Sequence, residues 1–362
     1  MHLMEAVFCI TFSFLVSHLF SWYLLKNSDR FRIGKRIYSE RVRLHKKGVP
    51  RLGGLAIYAA FYATLLFFYV FRKDYFRGYE IKIVGVFLSS TLIMACGLYD
   101  DLIKRLNYKT KFTIQILAIL IIIAFGYNVN TITNPFDGKI HIGVLGIPVL
   151  VTWLLMIMNA INLIDGLDGL ACGISIIVCY SFFVIGAYRN TVLFLPILLS
   201  LIGAELAFLR FNFYPARLFL GDSGSFFLGF MVGILAIESY TKRTAVISMI
   251  VPLLTLFIPL ASVVFTFSRR VAYAKNPFKP DKMHMHYRFL RAGISHRDVV
   301  LLYYTATIAY VVLGIFCYFM PKKFEVAIIA FAMVTLWILY TWALYFVNLK
   351  DKLRKKRIRN AD

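Results

Sequence analysis

Long apolar runs cut by short polar breaks dominate the chain, and eleven of them approach the roughly 20 residues that a helix needs to cross a bilayer. They lie near residues 3–25, 53–71, 81–99, 112–127, 147–162, 170–186, 191–210, 225–238, 244–267, 299–320 and 324–347. The first run, Leu3–Leu25, has no basic region before it and no small-residue cleavage site, so it reads as a retained span rather than a leader. One break is different: Asn128–Gly146 contains Asn-Pro, Asp-Gly and the alternation Lys139-Ile140-His141-Ile142. That pattern predicts a small external hairpin lying on the membrane surface, with His141 as a solvated strand residue. No repeat and no long polar segment divides the chain. It reads as one integral-membrane domain over residues 1–347, followed by a basic cytoplasmic tail over 348–362.

Composition agrees with an all-α polytopic membrane protein. Hydrophobic residues make up 60% and charged residues 16%, whereas soluble domains carry about 45–50% and about 25%. The five cysteines fall in or beside apolar runs without paired spacing, so they predict buried thiols rather than a disulfide framework or a zinc site. Charge sets the orientation. Of the 41 Lys and Arg, 31 fall in breaks that follow odd-numbered runs or in the tail. Basic residues favour the cytoplasmic side, so the N-terminus lies outside and the C-terminus inside. The net charge of +23 then forms a collar against anionic lipid. The bilayer is its partner; no nucleic-acid motif accompanies it.

Polar chemistry gathers where runs meet. Asn159–Gly173 places Asp165 and Asp168 between two apolar runs, where ionisable groups are costly to bury and therefore read as functional. Gly166 and Gly169 let the backbone turn sharply there. Asn162, Asp165 and Asp168 would share one face if the helix persisted that far. An amide with two carboxylates suits Mg²⁺ or the polar groups of a nucleotide. Asp100-Asp101 closes the third run. Adjacent carboxylates repel and oppose the helix dipole, so they need a cation or nearby Lys104, Arg105, Lys109 and Lys111 to stay ionised.

Asp222, within Phe219–Ser225, opens the eighth run, where it caps the helix or holds a metal; the company of other acids favours the metal. His284, His286 and Arg288 belong to a basic segment suited to a phosphorylated or sugar ligand, without the third regularly spaced ligand that zinc asks for. Arg51, before Gly53-Gly54, is either a positive-inside anchor or a ligand contact. Glu205 and Glu238 read as packing or boundary positions. The orientation puts all these aspartates and both histidines on the cytoplasmic side, so acids from separate loops share one cleft.

Asp-Asp, Asn-x-x-Asn-x-x-Asp-Gly-x-Asp-Gly, Gly-Asp-x-Gly-Ser and Asp-x-x-His-x-His occur in this order between about Arg51 and Arg297. In that combination the chain resembles the polyprenyl-phosphate N-acetylhexosamine-1-phosphate transferases. Within them it is similar to the bacterial undecaprenyl-phosphate GlcNAc-1-phosphate transferase branch, and more distantly to phospho-N-acetylmuramoyl-pentapeptide transferase. The resemblance implies that undecaprenyl phosphate attacks the β-phosphorus of a UDP-N-acetylhexosamine, releasing UMP and starting a lipid-linked surface glycan at the inner face of the bacterial cytoplasmic membrane. It implies Mg²⁺ as cofactor, with Mn²⁺ as a substitute, and leaves a homodimer open.

The same resemblance assigns Asp222 as the leading Mg²⁺ ligand and Asn162 as a second. Asp100 and Asp101 match the pair that activates the lipid phosphate or positions the metal, and Lys111 a lysine contacting phosphate. Asp165 and Asp168 match the acids lining the nucleotide cleft. Phe219 matches an aromatic that stacks on uracil, with Asn212 as a polar partner. His284, His286 and Arg288 match the segment recognising sugar and diphosphate, although Tyr287 stands where the family has a further histidine.

A phosphate monoester is already largely ionised near neutral pH, its second pKa being about 6. Direct in-line displacement is therefore favoured over attack by an Asp and a covalent intermediate. Two other classes fit parts of the pattern: an aspartate-rich intramembrane prenyltransferase and an ion-coupled transporter. Lys104 stands where a prenyltransferase would place a third Asp, and no inverted repeat supports a transporter.

Overall fold

The computed structural model describes residues 3–31, 49–103, 105–133, 139–188, 194–240, 252–272 and 284–320, with separate positions between 327 and 341. Most of the apolar runs fold as helices: α1 (Leu3–Phe31), α2 (Gly53–Phe71), α3 (Glu80–Leu102), α4 (Tyr108–Ala124), α5 (Gly146–Ile164), α6 (Leu170–Tyr188), α7 (Phe194–Asn212), α8 (Gly221–Tyr240), α9 (Phe257–Ala272) and α11 (His296–Phe319). A short α10 (Met285–Arg291) precedes the last of these. Between α4 and α5, β1 (Thr131–Thr133) pairs antiparallel with β2 (Lys139–His141), Thr131 opposite His141.

Among the described residues, eight helices are long and apolar enough to cross a membrane, which makes the chain a polytopic membrane protein. Two of the other expected runs correspond to α4, at 17 residues, and α9, at 16, both shorter than that criterion. The expected run 324–347 falls mostly, and the basic tail 348–362 wholly, outside the described residues.

The centre of the bundle is α8. It packs against α3, α5, α2 and α6, and 83% of its span is buried, against 17% for α1. Helices in lipid gain little from apolar burial against one another, so close backbone approach has to come from small residues. Gly221, Ser223, Gly224, Ser225, Gly229 and Gly233 supply that surface along α8. A side chain at Gly97 of α3 would collide with the backbone at Ser223, and one at Gly54 of α2 with the backbone at Gly224. These collisions involve backbone, which cannot give way as a side chain can. On the opposite face Trp153 of α5 donates its Nε1–H to the Gly233 carbonyl at 3.1 Å. Farther out, Ser13 and Ser17 of α1 donate to the Ser200 and Ala204 carbonyls of α7 at 2.5 and 2.8 Å.

Three helix ends differ from the sequence expectation. Asp100 and Asp101 lie inside the last turn of α3, which continues to Leu102. The start of α8 is Gly221, so Asp222 is in its first turn. Finally, α5 stops at Ile164 and turns at Asp165. Gly169 then takes a φ of +79°, which residues with a Cβ seldom adopt. Asn162, Asp165 and Asp168 therefore do not share one helical face. Asp168 belongs to a turn.

Candidate active site

Close packing of α3 and α8 brings acids from two separated stretches into one cluster. One carboxylate oxygen from each of Asp100, Asp101 and Asp222 falls within a 4.8 Å group. Lys111, in the first turn of α4, stands between them. Its Nζ is 2.8 Å from Asp100 Oδ2 and 2.5 Å from Asp222 Oδ2. The Leu106 backbone N–H donates to Asp100 Oδ1 at 2.5 Å, and Arg51 Nη1 lies 3.9 Å from Asp101 Oδ1. Three carboxylates thus face one ammonium in direct contact, with the guanidinium charges of Arg51 and Arg105 acting from farther away.

The adjacent aspartates do different work. Asp101 Oδ1 accepts the Asp222 backbone N–H at 3.1 Å, and its Oδ2 accepts the Ser223 N–H at 3.0 Å and the Ser223 hydroxyl at 2.9 Å. These N–H groups belong to the first turn of α8, where no helical carbonyl is available to receive them. Asp101 therefore caps α8 from another helix. Gly221 fits the same arrangement: its φ is +78°, and a Cβ there would meet the Asp101 carboxylate. Asp222 was expected either to cap this helix or to hold a metal; the cap comes from Asp101, and the Asp222 carboxylate faces Lys111. Asp101→Ala removes both acceptors from the head of α8, so it should destabilise by about 1–2 kcal/mol, as for other N-caps. The expected result in detergent is a lower unfolding temperature together with turnover reduced by about tenfold or more. An unchanged unfolding temperature would show that the cap contributes nothing.

Beside the cluster, the Asp165–Gly169 turn is tied down from several directions. Asp168, almost fully buried, accepts the Ala216 N–H on Oδ2 at 3.1 Å and donates its own N–H to His296 Nε2 at 2.9 Å. The Gly169 N–H donates to Asn212 Oδ1 at 3.1 Å, and Asn212 Nδ2 donates to the Leu218 carbonyl at 2.9 Å. Hydroxyls of Tyr304 and Tyr287 reach the Gly169 and Gly166 carbonyls at 2.6 and 3.3 Å. Asn162 connects this region to the cluster: its Nδ2 donates to Ser225 Oγ, in the first turn of α8, at 2.8 Å.

His284 and His286 lie against this turn rather than apart from it. Their rings stack at 5.5 Å between centroids, and the His286 ring sits so close to Gly166 that a Cβ there would strike it. Arg288 is half-buried on α10. Asp165, at the end of α5, is also half-buried.

Two expected nucleotide contacts occupy packing positions. Phe219 is 3% exposed, its ring packed within the bundle. Its backbone accepts the Gly53 N–H and donates to the Pro50 carbonyl, both at 2.9 Å, and this pairing carries Arg51 to Asp101. Asn212 is 2% exposed, with both ends of its amide bound to backbone. Glu238 makes a boundary pair with Lys82 at 3.8 Å. Glu205 is buried inside α7. Four cysteines are buried and Cys96 is half-buried, all as free thiols.

His296, Ser223 and Tyr304 carry bonds that the sequence motifs did not single out. The available signal for His296 was its position after Ser295, which does cap α11 by accepting the Asp298 N–H at 3.1 Å.

Residues 83–240 match glycosyl transferase family 4. A probable undecaprenyl-phosphate N-acetylglucosaminyl 1-phosphate transferase of Bacillus subtilis is 35% identical over 263 residues, covering 72% of this chain and 71% of that protein. The decaprenyl-phosphate N-acetylglucosaminephosphotransferase of Mycolicibacterium smegmatis is 34% identical over 298 residues, or 75% and 73% of the two chains. A phospho-N-acetylmuramoyl-pentapeptide-transferase of Acetivibrio thermocellus is 28% identical over 331 residues, 86% and 94% of the two chains.

Proposed function

Because the chain belongs to glycosyl transferase family 4, with polyprenyl-phosphate N-acetylglucosaminephosphotransferases among its relatives, we propose that it transfers GlcNAc-1-phosphate to a polyprenyl phosphate. The finer reading is that UDP-GlcNAc is the donor, undecaprenyl phosphate the acceptor and UMP the leaving product. In this reading the reaction takes place at the inner face of a bacterial cytoplasmic membrane, on the side where the basic breaks lie. The carrying observation is the Asp100–Lys111–Asp222 group: alternating charges at the head of a buried helix, in a family whose relatives join two phosphates.

The donor set fits a hard divalent cation. Mg²⁺ takes one or two protein carboxylates and fills the rest of its shell with phosphate and water. Both oxygens of Asp101 accept bonds from the head of α8 and both of Asp100 face Leu106 or Lys111, so Asp222, the most exposed of the three, is the residue that would hold the ion, with Asp100 beside it. Asn162 reaches the same helix start through Ser225. When bound, Mg²⁺ would offset the repulsion between the two approaching phosphates and polarise the diphosphate.

The protein's own groups favour direct displacement. Lys111 places an ammonium where the phosphates meet, orienting anions that are already ionised. An oxygen of the lipid phosphate bonds to the β-phosphorus while the bond from that phosphorus to the bridging oxygen breaks and leaves with UMP. A carboxylate nucleophile fits less well, because Asp101 already accepts three bonds from the head of α8 and Asp100 is held by Lys111 and Leu106. The decisive experiment supplies the purified protein with undecaprenyl phosphate, UDP-GlcNAc and Mg²⁺ or Mn²⁺. UMP release should require both substrates and the cation. No UMP under those conditions would overturn the reading, and a panel of UDP-sugars would fix the donor.

A further inference from the structure

We infer that His296 is a positioning residue for the transfer reaction: its imidazole fixes the backbone of the Asp165–Gly169 turn and so sets where the two acids of that turn stand. The inference rests on the transferase reading for its effect on turnover, and on geometry alone for the latch itself.

The Asp168 N–H needs a partner because α5 has already ended at Ile164 and the turn offers no helical carbonyl at this position. A buried N–H left without an acceptor is costly, since it loses its water partner and gains none. His296 Nε2 meets it at 2.9 Å, with His296 at 6% and Asp168 at 1% exposure. A backbone amide can only donate, so Nε2 presents its lone pair and the ring proton is on Nδ1.

The ring is itself held in two ways. It is the first residue of α11, directly after the Ser295 cap. It also stacks on Tyr214, with centroids 4.5 Å apart and planes 20° from parallel. Tyr214 lies two residues before Ala216, whose N–H binds the Asp168 carboxylate. One stacked pair of rings therefore sits beside both attachments of Asp168, its N–H and its side chain. Two helical turns further along α11, Tyr304 holds the Gly169 carbonyl as a donor, so the helix grips the turn from both sides of the hydrogen bond, with His296 as acceptor.

The test compares H296F, which keeps an aromatic ring against Tyr214 but has no acceptor, with H296Q, whose Oε1 takes the place of Nε2. Hydrogen–deuterium exchange of the peptide containing residues 160–172 is read in detergent without substrate, and kcat and KM for UDP-GlcNAc are read with undecaprenyl phosphate. In H296F, exchange within that peptide should rise by about tenfold or more and kcat should fall by about tenfold, with KM changed by less than about threefold. H296Q should restore both within about threefold. H296N, too short to reach the amide, is the second variant if H296F does not fold, and it should behave as H296F. Wild-type exchange in H296F or H296N, or a KM change without a kcat change, would overturn the inference. A wild-type protein without turnover would count against the transferase reading, and the exchange result would still judge the latch.

Discussion

Asp222→Ala is expected to lower turnover by about 10²–10³-fold or more while leaving the protein folded, a loss on the scale of deleting one charge-stabilising group from an active site. The division of work among the acids explains the combination. The Asp222 side chain is 26% exposed, against 5% for Asp100 and none for Asp101. It is thus the carboxylate of the three with most room to meet a ligand. Its removal leaves the head of α8 intact, because the bond to Asp101 comes from the Asp222 backbone N–H and from Ser223. Lys111 also keeps Asp100 as a partner. Turnover at saturating Mg²⁺, measured beside the thermal unfolding of the detergent-solubilised variant, checks both halves. Near-normal turnover would remove Asp222 from the chemistry, and a collapse of the fold would show that its side chain is structural.

Lys111→Met should damage stability and activity together. The ammonium separates Asp100 from Asp222, and without it two carboxylates confront each other at a largely buried position. Removing one partner of a buried ion pair costs about 3–5 kcal/mol, and the partial exposure of Asp222 places the expected loss at or below the lower end. Turnover should fall by about 10²–10³-fold, because the approaching phosphates would meet uncompensated negative charge. A double variant, Lys111→Met with Asp222→Asn, should recover much of the unfolding temperature and none of the activity. Recovery of activity in the double variant would show that Lys111 serves only to neutralise Asp222. Lys111→Arg is not a conservative substitute: a planar fork cannot place one point charge between two carboxylates as an ammonium does.

Those two results concern residues already visible as chemistry in the sequence, and the reason is physical. A carboxylate beside hydrocarbon is conspicuous wherever it occurs, so Asp100, Asp101, Asp165, Asp168 and Asp222 could be found one stretch at a time. Spans were legible for a similar reason: the apolar run at 53–71 is the helix Gly53–Phe71 because continuous apolarity is a local property. The partners were not legible. Nothing in the local sequence around Asp101 says that its oxygens will receive the N–H groups of a helix beginning at Gly221. That depends on Gly97 and Gly54 letting three backbones meet. His296 was missed on the same ground, since its partner is a backbone amide 128 positions away. Only the resemblance pointed to Phe219 as an aromatic that stacks on uracil with Asn212 as a polar partner; their packing, a buried ring and an amide bound to backbone at both ends, depends on elements far apart in the chain.

The cap that Asp101 places on α8 joins positions 121 apart in the chain, and this has a consequence for biogenesis. Synthesis runs from the N-terminus, so Asp100 and Lys111 can meet early, while Asp101 must wait through the making of α4, α5, α6 and α7 before its donors exist. A nascent chain halted before Gly221 would carry an acid pair whose Asp222 and Ser223 partners had not yet been made. The acid cluster is therefore completed only after α1–α7 have been made, so membrane insertion of most of the described spans precedes its closure.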